Sequence, residues 1–167
     1  MYIKGVGMTK FGIQEDSSKE LAYTATMGAM DDANLSMNDI DTIVVSNNDI
    51  LSNGERQRLF SNVISSILRK RIPIITSIAV CGSGGAALYT ANKLDYNNIL
   101  VVGVEKLLSN NSMRITDEIM MAAERIYEQT EGLNFPAQNA LVAQQYMMKY
   151  GATTDDLALI AYKNHQN

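Results

Sequence analysis

Thr42 to Val45 is a near-continuous β-branched run, and similar apolar runs return at Ile74 to Val80 and Ile99 to Val104. These three, with a shorter run at Tyr2 to Val6, read as strands. Helical patterns fill the gaps between them. Ser17 and Glu20 form a capping-box pair ahead of a helix carrying Leu21, Ala25, Gly28, Ala29 and Ala33 on one face. Asp39 and Asp41 bracket the approach to the second strand. Asn53 can cap a second helix, whose stripe is Leu59, Val63 and Ile67 beside Phe60, Ile64 and Leu68, with Pro73 stopping it. Ser83 to Leu94 is a third helix, rich in Ala and Gly.

Strand and helix therefore alternate through the first 105 residues. That order predicts an α/β fold with a largely parallel sheet and helices on both faces. The strands lack polar alternation, as expected of strands buried on both sides.

Beyond Glu105 the pattern becomes helical. Ser109 to Ser112 reads as a polar linker. Ile119, Ala123 and Ile126 mark one helix. Ala140, Leu141, Gln144 and Met148 mark another, closed by Gly151 as a left-handed cap. Thr153 begins a third, with Asp156 at the capping-box position and Leu157, Ile160 and Ala161 expected to face inward. Met113, Met120, Met121, Met147 and Met148 are expected as core filler.

The bulk properties bound the function. Of 167 residues, 46% are hydrophobic and 19% charged, within the range of globular domains. A formal net charge of -4 gives no global support for nucleic-acid binding. The basic triplet Arg69, Lys70 and Arg71 closes a helix pattern, where cations complement the carbonyl end. No apolar run approaches the roughly 20 residues that cross a bilayer, and no secretory signal is visible. One cysteine allows no internal disulfide, so a cytoplasmic location is expected. One Cys and one His leave no cluster for a structural zinc, so no metal is expected.

Several nucleotide motifs are excluded. In GVGMTKFG, Lys10 stands where a dinucleotide fingerprint needs glycine, and no P-loop is present. Cys81-Gly82-Ser83-Gly84 is not a G-x-S-x-G elbow, yet it places a nucleophile-type residue between strand and helix. A free cysteine is usually a small buried hydrophobe. A thiol at a helix start meets the positive end of the macrodipole and unpaired N–H groups, both of which favour the thiolate. Those N–H groups, Cys81's own included, could hold an oxyanion, and the following glycines leave room for a substrate. The pattern favours Cys81 as a nucleophile for acyl transfer.

AVCGSGGAALYTANKL, residues 79 to 94, resembles the nucleophile segment of thiolases. GVGMTKFG at the start, DANLSMNDID at 32 to 41, VVGVEKL at 101 to 107 and the stretch from Gly132 to the terminal KNHQN resemble the archaeal and sterol-carrier-protein-X branch. The resemblance covers nearly the whole chain. It implies a thiolase-like N-terminal α/β half over 1 to 106, with a mainly parallel mixed sheet. A helical loop-domain segment over 107 to 167 would lie over the coenzyme A arm. Cys81 matches the nucleophile that takes the acyl group. VVGVEKL matches a strand at the subunit contact. His165 falls in the loop-domain KNH motif, where it is either a satisfied helix-end histidine or a substrate-pocket contact.

The implied activity is that of an acyl-coenzyme A acyltransferase forming or cleaving acetoacetyl-coenzyme A. Coenzyme A thioesters would be its substrates, and no cofactor is implied. Thiolases have two similar halves, and the second supplies the base and the second cysteine. This chain corresponds to the first half and part of the loop domain, so it is expected to be a fragment, split subunit or truncated frame without turnover of its own. The expected partners are the missing half, further copies in a homodimer or tetramer, and, as in archaeal isoprenoid synthesis by the mevalonate route, hydroxymethylglutaryl-coenzyme A synthase with a bridging protein. A ketoacyl synthase-like condensing enzyme and a noncatalytic thiolase-like scaffold are the alternatives.

Overall fold

The structure is a computed structural model that describes residues 2–47, 55, 59–107 and 112–166. The chain forms two compact units, Met1–Ile115 and Thr116–Asn167.

The first unit is built on three parallel strands, β1 (Thr42–Ser46), β2 (Ile74–Thr76) and β3 (Ile99–Gly103), in the order β2-β1-β3. Val44 stands opposite Ile75 on one side and Val101 on the other. All five residues of β1 are buried, as the β-branched run requires of a central strand. Asp41 sets the start of β3, its Oδ2 accepting the backbone N–H groups of Asn97 and Asn98 at 3.1 and 2.9 Å.

Helices α1 (Ser18–Ala33) and α2 (Phe60–Ile67) pack on one face of the sheet and α3 (Ser83–Lys93) on the other. Ile43, Val45, Leu100 and Val102 meet Leu21, Ala22, Met30, Phe60, Ile64 and Leu68 in the larger core. Val44 meets Ala87 and Ala91 in the smaller one, with Ile99 and Val101 half-buried beside them. Small alanines let α3 approach the sheet closely.

The Ser17–Glu20 capping box forms, with Glu20 Oε2 accepting the Ser17 N–H at 2.8 Å. Glu55 Oε1 accepts the N–H of Ser18, the next free donor of α1, at 2.8 Å and lies 3.8 Å from Lys106 Nζ. Lys106 also donates to the Asp16 carbonyl at 2.6 Å. The end of β3 is thereby tied to the start of α1.

The structure departs from the sequence pattern at several places. Tyr2 to Val6 is not a strand, and Tyr2 and Ile3 are exposed. The segment instead lies along α1. A Cβ at Gly7 would fall 2.1 Å from the Ala25 carbonyl oxygen, and one at Gly5 2.5 Å from that of Ala29. The small face Ala25, Gly28, Ala29 and Ala33 therefore receives a glycine-bearing segment rather than the sheet. The buried residues of α1 are Ser18, Leu21, Ala22, Thr26 and Met30. In the α2 stripe, Phe60, Ile64 and Leu68 are buried and Val63 and Ile67 partly so, but Leu59 is exposed and precedes the helix. Helix α2 ends at Ile67, ahead of Pro73. The third expected strand shortens to Ile74–Thr76 because the chain turns toward Cys81. No antiparallel pair occurs among the described residues. Asn53 and residues 109–111 of the expected linker lie outside the described residues.

Helix α4 (Ser112–Met120) spans the division between the units, and a π-helical turn follows at Arg125–Gln129. Ile119, Ala123 and Ile126 therefore do not share one helix. Helix α5 (Phe135–Tyr150) starts with Asn134 Oδ1 accepting the Ala137 N–H at 3.0 Å and ends on Gly151 at φ 68°. Helix α6 (Thr154–Gln166) is preceded by the Thr153–Asp156 pair, whose Oδ2 accepts the Thr153 N–H at 2.8 Å. Leu157, Ile160 and Ala161 are exposed rather than inward-facing, as are Met121 and Met148. Neither α5 nor α6 has a buried residue, so these apolar positions have no core to fill.

No helix among the described residues is long and apolar enough to cross a membrane.

Candidate active site

Beyond Thr76 the chain leaves the sheet. Ser77 extends the ladder by one bond, its N–H donating to the Val45 carbonyl at 2.9 Å, and its Oγ lies 3.2 Å from Thr90 Oγ1 on α3. Val80, Cys81 and Gly82 then form a single 3-10 turn that runs directly into α3. This turn follows the carboxyl end of β2, the sheet edge at which α/β folds place their ligands.

Ser83 holds the turn. Its Oγ accepts the Ala79 N–H at 2.8 Å and donates to the Val80 carbonyl at 2.6 Å. The Gly82 N–H donates to the Ala79 carbonyl at 2.9 Å. These bonds support an unusual backbone: Val80 has φ 48°, left-handed space that β-branched residues avoid. Such a conformation costs about 1–3 kcal/mol and persists only when its surroundings over-determine it.

The turn presents Cys81 exposed to solvent. Its backbone N–H has no acceptor among the described residues. Around it, a Cβ at Gly82, Gly84 or Gly85 would meet nothing within 4 Å. Ile78, Val80, Leu88 and Tyr89 add exposed apolar surface to the same stretch and to α3. The arrangement offers an accessible sulfur, an N–H on the same residue with no acceptor among the described residues, and open space beside the neighbouring glycines.

His165 is exposed in the last turn of α6. It belongs to the second unit and Cys81 to the first. Ser83 as the lock of the turn shows in the sequence only as a hydroxyl two residues beyond Cys81, and the left-handed Val80 has no sequence signal, since valine disfavours that conformation.

Among the described residues no group of three or more His, Cys, Asp or Glu could hold a metal ion. A cleft of about 320 Å³, lined by Asp16, Lys19, Glu20, Tyr23, Thr24 and Ile67, contains no residue of the Cys81 turn. The cleft and the exposed thiol therefore do not coincide.

The chain is 31% identical over 171 residues to an acetyl-CoA acetyltransferase of Methanothermobacter thermautotrophicus, which covers 98% of this chain and 43% of that protein. It is 31% identical over 170 residues to an acetyl-CoA acetyltransferase of Methanocaldococcus jannaschii, again spanning 43% of that protein. The chain thus spans less than half the length of these relatives. Among solved structures, an Ltp2-ChsH2(DUF35) aldolase shares the fold with a TM-score of 0.59 at 24% identity, over 92% of this chain and 39% of that one. The thiolase N-terminal domain family matches residues 1–167, and the chain belongs to that family.

Proposed function

We propose that this chain is the nucleophile-bearing part of a thiolase-type acyl-coenzyme A acyltransferase, with Cys81 as the residue that is acylated. The observation that carries the reading is the exposed Cys81 in a Ser83-locked, glycine-flanked turn between β2 and α3. The archaeal acetyl-CoA acetyltransferases support the finer reading that the acyl group is acetyl and the product acetoacetyl-coenzyme A.

The Cys81 thiolate attacks the thioester carbonyl carbon, and the carbonyl electron pair moves to oxygen. The Cys81 N–H, which has no acceptor among the described residues, is a donor suited to that oxyanion. Collapse re-forms the carbonyl and expels the coenzyme A thiolate, leaving an acyl-cysteine. A second acyl-coenzyme A, deprotonated at its α-carbon, attacks the acyl-cysteine and releases the Cys81 thiolate. This is a ping-pong sequence. The α-proton and the proton on coenzyme A need acid–base groups besides Cys81. With one histidine and one cysteine in 167 residues, we assign those groups to the part of the relatives that this chain does not span. His165 is proposed as a contact to the substrate, not as the base.

The test uses the 167-residue chain and acetyl-coenzyme A, read by intact mass and peptide mapping. A single acetyl group on Cys81, abolished in Cys81→Ser, with no thiolysis of acetoacetyl-coenzyme A, is expected. Thiolytic turnover by the chain alone would overturn the assignment of the base. Acyl transfer that survives Cys81→Ser in the complete enzyme would overturn the catalytic reading in favour of a scaffold.

A further inference from the structure

We draw no further inference here: the strongest candidate, the exposed apolar surface of α5 and α6 around Tyr146, Tyr150 and Tyr162, is a face for which nothing in the structure shows what covers it.

Discussion

Ser83 and Ala79 face each other across the Cys81 turn, with the Ser83 hydroxyl accepting the Ala79 N–H at 2.8 Å. The same hydroxyl donates to the Val80 carbonyl, so one buried oxygen fixes both ends of a left-handed backbone step. Replacing Ser83 with Ala removes both bonds. The expected loss is about 1 kcal/mol for each bond removed. It should appear as a lower urea midpoint together with faster hydrogen exchange at residues 79–83. An unchanged midpoint and unchanged exchange would mean that the strand-to-helix connection holds without the serine.

Gly7→Ala is expected to be disruptive in a different way. Its Cβ would sit 2.1 Å from the Ala25 carbonyl oxygen, a backbone atom within α1 that cannot swing aside. The segment must lift off, at a cost of the order of overpacking, about 1–3 kcal/mol. Limited proteolysis should then cut within residues 2–13 faster than in the parent chain. Gly84→Ala is the control: nothing lies within 4 Å of its new Cβ, and alanine is favoured over glycine in a helix by about 0.5–1 kcal/mol. Thermal unfolding should place Gly84→Ala at or above the parent and Gly7→Ala below it.

The capping carboxylates make helix ends acid-sensitive. Glu20 is held below its usual 4.5, first by the side-chain bond to Ser17 and then by the Ser17 backbone N–H. Asp156 is held below 3.8, first by the Thr153 backbone N–H and then by its hydroxyl. A carboxyl group with a depressed folded pKa stabilises the fold above its unfolded value and loses that contribution as pH falls through the folded value. The α1 cap should therefore be fully intact above about pH 4.5 and the α6 cap above about pH 3.8, each being lost as pH falls through the lower folded value of its own carboxyl group. Carboxyl carbon shifts followed by NMR titration should show both groups titrating below their unfolded values. Glu20→Gln should flatten the acid limb of the stability curve.

Asn47 lies at the carboxyl end of β1, buried, with its Nδ2 donating to the Val104 carbonyl. The Val104 N–H donates to the Ser46 carbonyl at 3.1 Å, so the side-chain amide continues the ladder where the strand stops. Asn47→Ala should cost about 1–3 kcal/mol by leaving a buried carbonyl without a donor. Asn47→Asp replaces the donor with a second acceptor and buries a charge, so it should be worse at pH 7 than at pH 4, where the carboxyl group is protonated. Denaturant titrations at the two pH values decide this, and equal losses would show that the carboxylate escapes to solvent.

What the sequence alone determined is local. Ser17–Glu20 and Thr153–Asp156 are reciprocal pairs three residues apart, and Gly151 supplies the left-handed cap without a Cβ penalty, so these ends could be read without knowing the fold. The β-branched run of β1 and the position of Cys81 between strand and helix are legible for the same reason. Tertiary structure decided what each face meets. Ala25, Gly28, Ala29 and Ala33 form a small-residue stripe in any helix, but only packing shows that Gly5 and Gly7 lie against it while Ala22, Thr26 and Met30 enter the core. Likewise, Cys81-Gly82-Ser83 names a candidate nucleophile. The left-handed Val80 and the two Ser83 bonds that expose the thiol follow from closing the β2–α3 connection against the sheet, a constraint no local preference of valine contains.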